Sequence, residues 1–79
     1  MMITLKIITP QGETLSAATG LVELPGSQGR FEVLRDHAPL ITSLDAGVIR
    51  YEENGERREV PCPGGFAEVR NNVVTVCLG

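Results

Sequence analysis

The side chains best suited to acid–base or nucleophilic chemistry in this 79-residue chain are its single histidine, His37, the neighbouring Asp36, and two cysteines, Cys62 and Cys77. Catalysis by such groups requires a nucleophile within hydrogen-bond reach of a base that a third group orients. Adjacent residues of an extended segment point to opposite sides, so Asp36 cannot orient the His37 ring in this way. We therefore expect no catalytic residues, and we interpret His37 as a loop residue before Pro39 whose ring bonds nearby backbone.

The two cysteines do not form a metal-binding pattern. They lie in no CxxC pair, and a zinc site needs about four cysteine or histidine ligands, so we expect neither a metal nor another cofactor. Their spacing permits a disulfide between Cys62 and Cys77. The N-terminus does not resemble a secretory leader, however, which favours a reducing compartment. We interpret both residues as free, buried thiols.

The segment Pro25-Gly26-Ser27-Gln28-Gly29 could be mistaken for a phosphate-binding loop. Such a loop opens a helix and is followed by a lysine or further glycines. A strand-like run follows here instead, which favours a turn between two strands. The pair Gly64-Gly65 likewise indicates a bulge or a sharp bend at the start of a strand.

Composition argues against several classes of partner. The chain has seven basic and ten acidic residues and a net charge of −3, so it offers no basic surface to nucleic acid. Its aromatic residues, Phe31, Tyr51 and Phe66, provide no platform on which bases or sugars could stack. No apolar run approaches the ~20 residues that span a bilayer, so we expect membrane contact only through another protein.

Glycine and proline interrupt the sequence too often for a helix of ordinary length, and the segments between them have the length and apolar character of strands. The pairs Asn54-Gly55 and Asn71-Asn72 predict two hairpins, because these residues accept positive φ. About eight short strands with closely spaced turns predict an all-β domain over residues 1–79, a flattened antiparallel sandwich or barrel. The predicted strands are residues 3–8, 21–24, 31–34, 40–44, 48–52, 56–60, 66–69 and 73–78.

Several motifs in a fixed order carry a resemblance to a known family. They are Leu24-Pro25-Gly26-Ser27-Gln28-Gly29, Phe31-Glu32-Val33-Leu34, His37-Ala38-Pro39-Leu40-Ile41-Thr42 and Gly47-Val48-Ile49, with Thr9-Pro10, Gly64-Gly65-Phe66 and Asn72-Val73-Val74-Thr75-Val76. Together they extend over the whole chain. The chain strongly resembles the N-terminal β-sandwich domain of the epsilon subunit of bacterial F-type ATP synthases.

The resemblance implies a flattened sandwich of about ten strands at the foot of the central stalk, bound to the gamma subunit and resting on the membrane-embedded c-ring. It implies a non-catalytic rotor role at the cytoplasmic face of the bacterial inner membrane, because catalysis and ATP belong to other subunits. Family members often continue into a two-helix C-terminal domain. This sequence does not include that domain, which leaves a naturally short subunit or a fragment as the two explanations.

By position, the resemblance places Gln28 and Arg30 toward the c-ring, and Thr9, His37 and Thr42 toward gamma. Acidic residues are common in the family at the first two positions, so a neutral Gln28 and a basic Arg30 require an acidic partner loop. The alternative for these positions is that they are ordinary solvated residues. For the chain as a whole, the alternatives are an unrelated β-sandwich that binds a ligand or serves as an adaptor, and a hydrolase or metal enzyme.

Two local departures from the family pattern affect the expected structure. Arg35-Asp36 stands where Pro-Gly is usual before the histidine, which predicts a differently shaped loop. Pro61-Cys62-Pro63 stands where a small residue such as serine is usual, which predicts an edge strand or a bulge, because proline cannot donate to a sheet ladder.

Overall fold

The computed structural model describes residues 2–12 and 14–79, and these form nine strands and their connections. One strand, β2, was not predicted, because Leu15 is its one large apolar residue and small side chains make its alternation faint. The number of strands lies between the about eight that the residue pattern predicts and the about ten that the resemblance implies. The strands are β1 (Ile3–Ile8), β2 (Thr14–Thr19), β3 (Val22–Gly26), β4 (Gly29–Val33), β5 (Leu40–Leu44), β6 (Gly47–Glu53), β7 (Glu56–Cys62), β8 (Gly65–Arg70) and β9 (Val73–Leu78).

All nine strands belong to one sheet that curls over a single core. Their order is β2-β1-β9-β8-β5-β3-β6-β7, and β4 pairs with β3 beside this path. The first strand of this path approaches the last but one, since the Glu52 amide of β6 donates to the Thr19 hydroxyl of β2 at 3.2 Å. The predicted all-β sandwich or flattened barrel is therefore confirmed. The described residues include no helix with the length and apolarity needed to cross a membrane.

Pairing is antiparallel with one exception. The first and last strands, β1 and β9, run parallel, with Leu5 opposite Val74 and Ile7 opposite Val76. The predicted antiparallel sandwich thus contains one parallel pair of strands. Parallel neighbours need a long connection, and here that connection consists of all the intervening strands.

The core is built from the period-two alternation of each strand, which sends every second side chain inward. On β1, for example, Ile3, Leu5 and Ile7 are buried while Lys6 and Ile8 are exposed. The inward residues of the other strands meet them and form one continuous cluster. That cluster also contains Ala17, Val22, Leu24, Val33, Leu44, Ile49, Tyr51, Cys62, Ala67, Val69, Val74 and Val76.

The two predicted hairpins are confirmed. Asn54 and Gly55 have φ angles of 53° and 78° and join β6 to β7. Asn71 and Asn72 have φ angles of 51° and 62° and join β8 to β9. Positive φ at both central residues gives a turn whose twist matches that of the flanking strands.

The edge strand predicted at Pro61 and the bend predicted at Gly64-Gly65 are both present. β7, which contains Pro61, pairs only with β6 and ends the sheet, so the edge-strand prediction is confirmed. Gly64 and Gly65 form a sharp bend with φ angles of 122° and 143°. A Cβ atom on Gly65 would overlap the carbonyl oxygen of Cys77 on the neighbouring strand, so β8 can approach β9 this closely only with glycine there.

Candidate docking surface

The residues best suited to catalysis are not brought together by the fold. Nδ1 of His37 lies 2.7 Å from the Ala38 carbonyl oxygen, which confirms a loop histidine bonded to nearby backbone. The Cys62 thiol donates to the Asp45 carbonyl oxygen at 3.5 Å. Imidazole and thiol thus have separate partners and form no nucleophile–base pair. Nor does the described part of the chain contain a group of three or more potential metal ligands.

Both cysteines are free thiols, as predicted, but their surroundings differ. Cys62 is buried at the end of β7. Cys77 is only half-buried, because it occupies an outward position on β9, next to the inward and buried Val76. The expectation that both thiols are buried was therefore wrong for Cys77.

The two candidate ring-facing residues lie on the hairpin formed by β3 and β4. Gln28 is exposed in the turn between the strands. Arg30 lies within β4, opposite Pro25 of β3, because β4 begins earlier than predicted. Its Nε atom is 3.5 Å from Oε1 of Glu23, so an ion pair along the hairpin sets the direction of the Arg30 side chain.

The base of this turn is fixed to the end of β5. The Ser27 hydroxyl donates to the Asp45 carboxylate at 3.0 Å and accepts from the Ser43 hydroxyl at 2.9 Å. Backbone bonds from Ser27 N to Ser43 O and from Asp45 N to Pro25 O reinforce the contact, at 3.0 and 2.8 Å. The turn therefore presents Gln28 from a defined position rather than from a free loop.

Arg30 also ends a row of alternating charges on the outside of the sheet. Glu23, Arg50 and Glu59 face one another across β3, β6 and β7. Arg50 Nε donates to Glu59 Oε2 at 2.7 Å, and Arg50 Nη1 lies 3.9 Å from Glu23 Oε1. The hydrogen bond to Glu59 raises the pKa of the Arg50 guanidinium above its ordinary value; desolvation opposes this, and the charges of Glu59 and Glu23 add to it.

An open groove of about 450 Å³ lies between β4 and β5. Gln28 and Arg30 form one side, Leu40 and Thr42 form the other, and Phe31 also lines it. Thr42, a candidate for the gamma-facing side, thus shares a groove with the two candidates for the ring-facing side. The fold brings these three residues together.

The other two candidates lie far from each other. Thr9 follows β1, whose last residue Ile8 is opposite Cys77 near the end of β9. His37 lies in the loop of residues 34–39 between β4 and β5, here called the His37 loop, which contacts Asn72 just before the start of β9. Thr9 and His37 therefore lie near opposite ends of β9.

The His37 loop is held by a reciprocal contact between Asp36 and Asn72. The Asp36 amide donates to Asn72 Oδ1 at 2.7 Å, and Asn72 Nδ2 donates to Asp36 Oδ1 at 3.2 Å. Within the loop, the His37 amide donates to the Leu34 carbonyl oxygen at 3.2 Å. Asp36 itself has a φ of 64°. Because Arg35-Asp36 stands where Pro-Gly is usual, an aspartate adopts this left-handed conformation at the position of the usual glycine.

Part of the outer surface of the sheet carries apolar side chains. Ile8, Cys77 and Phe66 lie side by side across β1, β9 and β8, and Ile41 projects from the next strand, β5, opposite Glu68. We call Ile8, Ile41, Phe66 and Cys77 the outer apolar face. Ile41 and Phe66 are 73% and 51% exposed, and large exposed apolar side chains grouped on one surface mark interaction sites.

The family described as ATP synthase, Delta/Epsilon chain, beta-sandwich domain matches residues 2–78. The chain belongs to this family. Membership removes the alternative of an unrelated β-sandwich, and it agrees with the resemblance carried by the motifs around Gly26, His37 and Gly64.

Curated relatives in this family carry the name ATP synthase epsilon chain. The protein of Desulfitobacterium hafniense (strain DSM 10664 / DCB-2) is 44% identical over 73 residues, covering 92% of this chain and 55% of the relative. That of Pelotomaculum thermopropionicum is 46% identical over 72 residues, with 91% and 54% covered. The chain thus spans about half the length of the curated relatives it matches.

Solved structures with the same fold contain ATP synthases. A chain of the Euglena gracilis mitochondrial ATP synthase, in a structure of OSCP, F1 and the c-ring, superposes with a TM-score of 0.88 at 23% identity, covering 98% of this chain and 50% of that one. A chain from the Tetrahymena thermophila mitochondrial ATP synthase central stalk and c-ring gives 0.75 at 12% identity, covering 95% and 61%. At these identities the likeness shows a shared fold.

Two features of this docking surface were not predicted from the sequence. The charge row could have been found, because the Asn54-Gly55 turn fixes the register that places Arg50 opposite Glu59. The Asp36–Asn72 contact had no local signal, since it joins residues 36 positions apart in the chain.

Proposed function

We propose that this domain is a non-catalytic coupling element of an F-type ATP synthase rotor, placed between the gamma subunit and the c-ring. It transmits torque between them and leaves ATP chemistry to other subunits. It acts at the cytoplasmic face of the bacterial inner membrane and meets the membrane only through the assembled complex. Family membership and the epsilon chain names of the relatives support this assignment.

The observation that carries the proposal is the outer apolar face. Ile41 and Phe66 leave large side chains in water on strands whose inward residues, such as Val69 and Leu44, already fill the core. Covering such side chains gains roughly 1.5–3 kcal/mol each. A small domain, whose own core is limited, is stabilised by a partner that supplies this cover. We assign the gamma subunit to this face, together with Thr9 and His37.

We assign the c-ring to the far end of the β3–β4 hairpin. Gln28 is exposed there on a turn that Ser27 fixes to β5, and Arg30 lies beside it. Thr42 lies across the groove from this pair, so it adjoins the ring contact more closely than the resemblance implied. A polar loop with an acidic side chain is the chemistry that fits Arg30.

Affinity for purified gamma subunit, measured by calorimetry, tests the assignment. Phe66→Ser and Ile41→Ser should each weaken binding about tenfold, because about 1.4 kcal/mol of lost apolar burial corresponds to that factor. Val48→Ser is the matched control, since Val48 faces outward from β6, in the charged part of the sheet, and binding should be unchanged.

Thermal unfolding provides a second readout. Gamma binds the folded domain and not the unfolded chain, so saturating gamma should raise the melting temperature of the wild-type domain by linkage. An unchanged midpoint, with equal affinities for the Phe66 and Val48 variants, would overturn the proposed docking.

A further inference from the structure

We propose that Asn72 is a positioning residue that sets the His37 loop in its docking conformation and joins it to the outer apolar face as one surface. The inference rests on the proposed docking function, which assigns both features to the same partner. Asn72 lies in the turn between β8 and β9, whereas the loop that it positions connects β4 to β5.

The contact holds the loop at its most constrained point. Asp36 has a positive φ, which costs a residue with a Cβ atom free energy. The Asn72 side chain accepts a hydrogen bond from the Asp36 amide and returns one to its carboxylate. Both bonds require Asp36 to face Asn72, so together they select this one conformation of the loop that carries His37.

Asn72 also has a second attachment, to the sheet itself. Its carbonyl oxygen accepts a hydrogen bond from the Thr4 amide of β1 at 2.9 Å. Asn72 thus contacts β1 through its backbone and the His37 loop through its side chain, at the start of β9. These are the strands that carry Ile8 and Cys77 of the outer apolar face. Asn72 therefore fixes the His37 loop to one end of this pair of strands, and the other end carries Ile8 and Cys77, so the loop and the face are attached to the same two strands before a partner arrives.

Asn71 offers a matched control within the same turn. Asn71 and Asn72 both have positive φ angles, 51° and 62°, so glycine fits either position without strain. Asn72→Gly removes both side-chain bonds to Asp36, whereas Asn71→Gly removes an amide side chain that has no bond to Asp36 among the described contacts. Any general effect of glycine on the turn is common to both variants.

The first measurement is amide hydrogen exchange of Asp36 by NMR in the isolated domain. Asn72→Gly should accelerate exchange about three- to tenfold, the effect of losing exposed hydrogen bonds, and Asn71→Gly should not. The double variant Asp36→Asn/Asn72→Asp should restore slow exchange, because the position-36 amide then donates to the new carboxylate and the net charge is unchanged.

The second measurement is affinity for purified gamma subunit. Asn72→Gly should weaken binding about three- to tenfold, while Asn71→Gly and the double variant bind like wild type. Equal exchange in the two glycine variants would show that the contact does not hold the loop. Faster exchange in Asn72→Gly with undiminished affinity would overturn the positioning role. A wild-type domain that fails to bind gamma overturns the proposed function instead.

Discussion

Arg30 and Glu23 form an ion pair across β4 and β3, with 3.5 Å between the guanidinium Nε and the carboxylate Oε1. Their side chains are 34% and 18% exposed, so water screens the pair, and its contribution to stability is at most about 1 kcal/mol. The pair matters more for docking. A partner carboxylate that approaches Arg30 meets an arginine that already has an acidic neighbour.

Arg30→Glu should therefore weaken contact with the c-ring twice over, by placing a negative charge toward an acidic partner loop and by leaving Glu23 beside a like charge. Docking to gamma should survive. In the assembled complex, ATP-driven ion pumping per ATP hydrolysed should fall while hydrolysis persists.

Arg57→Glu is the matched control for this charge reversal, because Arg57 is exposed on the edge strand β7. It should leave the pumping ratio at the wild-type value. If Arg30→Glu also leaves coupling and the salt sensitivity of assembly unaltered, Arg30 is an ordinary solvated residue.

Thr19 is a buried polar residue whose hydroxyl joins three backbone groups. It donates to the Leu21 carbonyl oxygen at 3.0 Å and accepts from the Leu21 and Glu52 amides at 3.3 and 3.2 Å. Thr19→Val keeps the shape and removes these bonds, so it should cost about 1–3 kcal/mol. Urea unfolding measures the loss. Thr14→Val, an exposed change on the same strand, should cost much less, and equal losses would contradict the role of the hydroxyl.

Gly65 and Gly55 both have positive φ angles, 143° and 78°, but their surroundings differ. Gly55→Ala meets nothing within 4 Å and should cost only the conformational strain of about 1–2 kcal/mol. Gly65→Ala also drives a methyl group into the Cys77 carbonyl and must separate β8 from β9. We expect a clearly larger loss in the free energy of unfolding, and similar losses would argue against the close approach of these strands.

Arg50 has a pKa that folding raises, chiefly through its hydrogen bond to Glu59. Such a group contributes its full stabilisation below its unfolded-state pKa and loses it only as pH rises through the folded-state value. The melting-temperature difference between wild type and Arg50→Gln should therefore stay constant from about pH 7 to about pH 10. Added salt should shrink it by screening. A difference that vanishes within this alkaline range would contradict the assignment.

Titration with Mg-ATP should give no heat of binding. The segment around Ser27 and Gln28 is a hairpin turn between strands, and Gly64 and Gly65 open a strand, whereas a phosphate cradle requires such a segment to open a helix. Isothermal calorimetry checks this with ADP as a parallel titrant. Micromolar binding of either nucleotide would rule out a purely mechanical role.

The local features of the fold could be predicted because their signals are local. Asn54-Gly55 and Asn71-Asn72 specify hairpins through backbone conformations that few other residues adopt. Pro61 marks an edge because it has no amide to donate. By contrast, β2 went unnoticed, since its inward residues Ala17 and Thr19 are small or polar.

The remaining features depend on residues that meet only in the folded state. The ion pair from Arg30 to Glu23 follows from the register of two strands, and the Asn72 contact to Asp36 follows from where two separate connections come to lie. The resemblance implies one gamma-facing side for Thr9, His37 and Thr42, and that assignment stays a prediction. The fold adds their positions, with Thr9 and His37 near opposite ends of β9 and Thr42 in the groove beside Gln28.

The parallel pairing of β1 with β9 has a consequence for biosynthesis. Of the nine strands, β1 is synthesised first, yet one of its two neighbours, β9 (Val73–Leu78), is synthesised last. Until then, the β9-facing edge of β1 has unpaired backbone groups and is open to wrong partners. At about 5–20 residues per second, that interval lasts several seconds. The nascent domain therefore completes its sheet only after β9 has been synthesised. Of the nine strands, β1 is the one whose unpaired edge a chaperone would most usefully cover.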